Sequence, residues 1–222
     1  MRNIIACCLL IYCPFVSAEI PFGLKAGMSL NEIKKFDAKP VELGDGNFII
    51  KNVPKPYDGF KDYVVKVSPT IGLCKVVGWG KPVKTSVYGD GLSSEFDSVK
   101  SGLTTKYGAP NGDYNFLRAK SIWSQPNEWM MGLYKEERIL AATWEPKESD
   151  GVKNIMLKAK AKSTNEGYIT VAYEFFNTES CYKEKKSKRH KWIINMCLKK
   201  HPRVLFSCDQ QSCRLFFQLH HR

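Results

Sequence analysis

Between residues 19 and 182 this 222-residue chain has no histidine. That absence excludes Ser-His-Asp and Cys-His nucleophilic sites, which need an imidazole base. It also removes the His-rich ligand sets of catalytic zinc. A Gly-rich phosphate loop ending in Lys-Ser/Thr is missing too, as is a dinucleotide fingerprint opening a helix. Cysteine is scarce in the same span, limited to Cys74 and Cys181. Apolar runs of the roughly 20 residues needed to span a bilayer are also lacking there. These absences predict no metal and no cofactor, and they leave few catalytic chemistries open.

What the chain does have is an export-type start. Arg2 precedes an apolar run from Ile4 to Val16, which ends in the small-residue exit Val16-Ser17-Ala18. A positive residue, a short apolar core and small residues at the end are the three parts of a secretory signal peptide. Residues 1–18 are therefore read as a leader cleaved near Ala18, and the mature protein is expected in the periplasm or secreted. A lipoprotein leader, with Cys13 as the lipidated residue, meets a steric objection: bulky Tyr12 stands where the processing enzyme takes a small residue.

The formal net charge of +12 is unevenly placed. Residues 183–222 hold eleven Lys/Arg against Glu184 and Asp209, a net of +9, whereas residues 19–182 carry only +2. A basic tail on a nearly neutral domain is not a nucleic-acid-binding face, so no nucleic-acid partner is expected. The tail lacks helical or strand periodicity and reads as disordered, and any membrane contact is expected through it alone. Three cysteines sit in the leader and three in the tail (Cys197, Cys208, Cys213). The tail three have no assignable pairing. With His201 they have ligand-type side chains, but their spacing matches no common zinc finger. In an oxidising compartment, the two body thiols predict a Cys74–Cys181 disulfide.

Along the body, Ser29 and Glu32 form a capping box with Met28 and Ile33 as a hydrophobic staple, predicting a short helix over about 29–37. Strands are expected around Phe48–Ile50, Tyr63–Val67 and Leu73–Trp79. Val83–Tyr88 is expected to return antiparallel to the last of these. Leu92, Phe96, Val99, Leu103 and Tyr107 fall on one helical face, which predicts a helix over 93–107 capped by Ser94 and ended by Gly108 and Pro110. Gly102 inside it predicts a close-packed contact. Residues 114–144 mix strand and loop, and Ile139–Trp144 is the most strand-like part. Ile155 to Ala161 and Ile169 to Phe175 alternate apolar and polar residues around a five-residue turn, Ser163–Gly167. They predict an antiparallel hairpin with Lys158, Lys160 and Lys162 on a solvated face. The whole reads as one α+β domain over residues 19–182, two helices packed on a largely antiparallel sheet.

Three of the five tryptophans fall within residues 123–144. Tryptophan and arginine dominate interface hot spots, so Trp123, Trp129, Arg138 and Trp144 form the candidate binding surface. The competing reading places these rings in the core. Paired carboxylates survive the loss of histidine as hydrolytic groups, with Glu128, Glu136, Glu137, Glu145 and Asp150 available.

The segment Phe22-Gly23-Leu24-Lys25-Ala26-Gly27-Met28-Ser29-Leu30-Asn31-Glu32-Ile33 resembles the helix opening of an α+β superfamily that includes small outer-membrane assembly lipoproteins and the β-lactamase inhibitory protein. The resemblance implies a helical pair packed on an antiparallel sheet. Residues 89–145, including Tyr107-Gly108-Ala109-Pro110 and the tryptophan-rich stretch, are similar to uncharacterised exported proteins often carried by bacterial prophages. No inhibitor contact residue carries over, and no lipobox is present. The combined expectation is a non-catalytic module that binds an envelope or secreted protein, as an inhibitor or assembly factor. A secreted carboxylate-based glycan hydrolase is the alternative.

Overall fold

The computed structural model describes residues 20–184. The leader, and the tail from residue 185 with its four ligand-type side chains, lie outside the described residues. Among the described residues nine strands form one antiparallel sheet: β1 (Val41–Gly44), β2 (Asn47–Ile50), β3 (Phe60–Ser68), β4 (Gly72–Gly80), β5 (Val83–Lys84), β6 (Gly112–Leu117), β7 (Arg138–Trp144), β8 (Asn154–Ala161) and β9 (Glu166–Glu174). Their order is β1-β2-β3-β4-β9-β8-β7-β6, with β5 pairing β9 beyond the end of β4. Among the described residues they are accompanied by α1 (Leu30–Ile33), α2 (Asp90–Tyr107) and α3 (Trp129–Tyr134), and residues 178–184 are helical after β9. The fold is mixed α+β, as the patterning predicts. No helix among the described residues is long and apolar enough to cross a membrane.

The period-two alternation of the strands decides which side is covered. Cross-strand register aligns Leu157 with Val171 and Ile155 with Tyr173, and continues through Val76 and Val65. All are buried, and α2 and α3 pack on this side, α2 against β8 and β9 and α3 against β7 and β8. From α2 come Leu92, Phe96, Val99 and Leu103, the stripe read from the sequence. Burying each such side chain contributes roughly 1.5–3 kcal/mol. The opposite side carries Thr143, Met156, Ala172 and Val77 in one register row, with Lys75 and Glu174 in the next.

The capping box forms as expected: the Ser29 hydroxyl accepts the Glu32 N–H, and the Glu32 carboxylate accepts the Ser29 N–H at 2.8 Å. The helix it opens is a single turn, because the chain turns at residues 34–36 toward β1. Helix α2 starts at Asp90, not at Ser94. Gly89 takes a left-handed φ of 76°, and the Asp90 carboxylate binds the Ser86 N–H and hydroxyl, so the turn closes earlier. Gly102 does not mark a packed contact; it is exposed, with nothing within 4 Å of a would-be Cβ. The segment after β4 pairs with β9 and not with β4, and only Val83 and Lys84 are strand. A third helix, α3, stands where strand and loop were expected.

The hairpin is β8–β9, in continuous register from Asn154↔Glu174 to Ala161↔Gly167. Cys74 and Cys181 are joined, their Cα atoms 6.6 Å apart across a 107-residue separation. The bridge holds helical residues 178–184 against β4, and Asn177 Nδ2 donates to the Leu73 carbonyl at 2.9 Å beside it.

Candidate functional site

Three of the four candidate side chains come together where β6, β7 and α3 meet. Arg138 opens β7 opposite Leu117 of β6. Gln125 and Glu128 form a second capping box, with the Gln125 N–H donating to the Glu128 carboxylate at 3.0 Å. Together with Pro126 it starts a 3₁₀ turn that runs directly into α3, so Trp129 sits at the helix start. The Met130 N–H then donates to the Val87 carbonyl at 3.1 Å, which docks α3 beside the loop before α2. Gly132 is the close-approach point: a Cβ there would stand 3.4–3.5 Å from Arg138 Cβ, Trp123 Cβ and Leu117 Cδ1.

The Arg138 guanidinium lies over the Trp129 ring, 5.5 Å from its centroid. A cation on an indole face is worth roughly 0.5–2 kcal/mol, more as water is excluded. Burial pulls the Arg138 pKa down from its ordinary value. Its Nε is buried without a hydrogen-bond partner, and among the described residues no carboxylate pairs with the group. A buried unsatisfied donor costs about 1–3 kcal/mol, and more when charged. Trp123 and Trp129 are half-buried, and Ile122 beside them is 74 % exposed.

Trp144 does not belong to this surface. It is 1 % exposed on the helix-covered side, and its Nε1 donates to the Gly108 carbonyl at 3.0 Å, tying β7 to the end of α2. Its indole is large and its N–H finds a partner inside, so it serves the core.

The carboxylates read from the sequence are spread apart. Glu128 caps Gln125, Glu136 pairs with Lys160 at 2.5 Å, and Asp150 lies in a 3₁₀ turn over Glu148–Asp150. Glu145 borders a cleft of about 310 Å³ on the uncovered side, together with Lys75, Asn154, Met156 and Glu174. Burial works to raise the Glu174 pKa, but Lys75 at 2.8 Å and Asn154 at 3.3 Å outweigh it and hold the pKa below the usual carboxylate range. A glycosidic general acid needs the opposite shift. Glu174 is therefore held as the anion of an ion pair with Lys75.

Of the hairpin lysines, Lys160 and Lys162 are paired, with Glu136 and Glu166. Lys158 differs: burial and then the neighbouring Lys160 lower its pKa, and Arg118 adds to the effect. Sequence reasoning missed the part of the surface formed by β6, which shows Tyr114 and Phe116 43 % and 47 % exposed. Their alternation with Asp113 and Asn115 was a readable strand signal, obscured by the surrounding aromatic loop. Compared with known proteins, the chain matches no family model, no curated protein and no solved structure.

Proposed function

We propose that this chain is an exported, non-catalytic protein-binding module of the bacterial envelope, acting as an inhibitor or assembly factor, with Trp123, Trp129 and Arg138 at the centre of its contact surface. The observation that carries the reading is the state of Arg138. Its guanidinium is stripped of water on one side by Trp129 and has no acid among the described residues to answer it. A cation held this way costs stability in the free protein and gains most when a partner carboxylate completes it, through a charge-assisted bond at low local dielectric. The flanking indoles supply the rigid apolar area typical of hot spots. The disulfide supports export, since such bonds persist in oxidising compartments.

The test is capture from envelope extract by protein starting at Glu19, compared with its Arg138→Gln variant. Wild type retains a stoichiometric partner, and the variant loses it at least tenfold while melting at no lower a temperature. Equal retention by both proteins removes Arg138 from the interface and the reading with it.

A further inference from the structure

The two edges of the sheet are built differently. Strand β1 is four residues long, follows Pro40, and carries a register irregularity between Glu42 and Gly44. Short length, a nearby proline and a bulge are the devices that keep an edge from pairing with other chains. Strand β6 is longer and unbroken: Gly112 to Leu117 is six residues without Pro or Lys, in continuous register with β7, and Pro110 stands one residue outside the strand start instead of directly before it.

The register also says which backbone groups point outward. The Arg118 N–H donates to the Glu137 carbonyl at 2.8 Å, so Arg118 is in a hydrogen-bonded pair with β7. Antiparallel ladders alternate, and the backbone groups of Leu117, Asn115 and Asp113 therefore face away from β7. No described residue bonds them. The intervening residues, Tyr114 and Phe116, lie with Ala141 and Ile139 on the uncovered side of the sheet.

Positive charge borders this edge on both sides. On the uncovered side Arg118, directly after β6, has no ion pair among the described residues, and nearby Glu136 is paired with Lys160. On the covered side Arg138 stands one strand in from the edge, opposite Leu117. A strand added to β6 would lie about 10 Å from the β7 backbone, a gap that a glutamate and an arginine side chain span together.

We propose that β6 is an acceptor strand, and that the partner supplies an extended acidic segment which continues the sheet there. Main-chain bonds to Asp113, Asn115 and Leu117 provide the pairing. A carboxylate on one face of the incoming strand meets Arg118, and one on the other face meets Arg138. Tyr114 and Phe116 offer cross-strand contacts to apolar residues between them. This rests on the protein-binding reading and names the shape and charge of what is bound.

The test is amide hydrogen exchange on the full mature protein with a nine-residue alternating Glu/Val peptide, capped at both ends, and a Lys/Val peptide as control. The acidic peptide slows exchange at Asp113, Asn115 and Leu117 at least tenfold, and the basic one leaves it unchanged. Arg118→Glu weakens the acidic peptide at least fivefold. Asn115→Pro, which deletes the central outward N–H at an edge position that tolerates proline, abolishes the protection without changing the melting temperature. The proposal is overturned by no protection, by equal protection from both peptides, or by protection that grows with protein concentration alone, which assigns the edge to a second copy. Loss of capture by Arg138→Gln, with no protection at β6, leaves the binding reading standing and removes only strand addition.

Discussion

Trp144 and Trp123 are separated by twenty-one residues and should respond to substitution in opposite ways. Trp144 is 1 % exposed and donates to the Gly108 carbonyl. Replacing it with phenylalanine removes about 38 Å³ of side chain, which at ~24 cal/mol per Å³ of residual cavity costs about 0.9 kcal/mol. Losing the indole bond adds about 0.5–1.5 kcal/mol, at the low end because Gly108 is exposed and water can replace the donor. Trp144→Phe should therefore destabilise by about 1.5 kcal/mol, and Trp144→Ala by about 3–5 kcal/mol. Trp123 is half-buried on a loop, and Trp123→Ala should cost under about 1 kcal/mol. Urea unfolding followed by far-UV circular dichroism measures both, with the transition slope checked for constancy. A Trp144→Phe midpoint indistinguishable from wild type, or a Trp123→Ala loss as large as that of Trp144→Ala, refutes this division between core and surface.

Other consequences can be measured separately. Removing the Cys74–Cys181 bridge by a double serine substitution should cost up to about 4.8 kcal/mol, the loop-entropy value for a separation of 107 residues; a midpoint unchanged by reduction contradicts it. Gly89→Ala should destabilise by more than about 1 kcal/mol, because φ is 76° and the new methyl would land on the Trp129 ring; unchanged stability and tryptophan emission would show that contact to be wrong. Burial opposes the Asp37 charge, but the backbone N–H groups of Lys51 at 2.5 Å, Lys39 and Asn52 outweigh it, so its pKa is lowered on folding. That stability is present above the ordinary aspartate range and is lost as pH falls through the lowered pKa. Asp37→Asn should cost roughly 1–3 kcal/mol at neutral pH and flatten the acid limb of the stability curve; an unchanged acid limb removes Asp37 as its source.

Much of the fold was legible because periodicity and capping are local. The Ser29–Glu32 box, the α2 stripe and the β8–β9 hairpin each needed only a dozen residues to read. Helix α3 was legible in principle: Gln125-Pro126-Asn127-Glu128 is a capping box with proline at the first helical position. The helix it opens is only six residues long, too short to show a 3.6-residue periodicity. The partner of β5 was not legible, since pairing with β9 instead of β4 depends on a contact 82 residues away. For the candidate site, composition brought Trp123, Trp129 and Arg138 forward but did not separate them from Trp144. The difference is where along β7 each residue lies and where α3 docks. Strand alternation places Arg138 and Trp144 on the same covered side. Only Trp144 lies deep enough to reach Gly108, whereas Arg138 sits at the mouth beside Trp129.

Photocrosslinking at Ile122 probes the central idea most directly, because this side chain is 74 % exposed beside Trp123. A benzophenone side chain placed there in the producing cell should trap one discrete partner, which disappears when Arg138→Gln is added and is absent with the probe at Thr105. Crosslinks at Ile122 no stronger than at Thr105, or unaffected by the loss of the guanidinium, would contradict a docking surface at this end of the sheet.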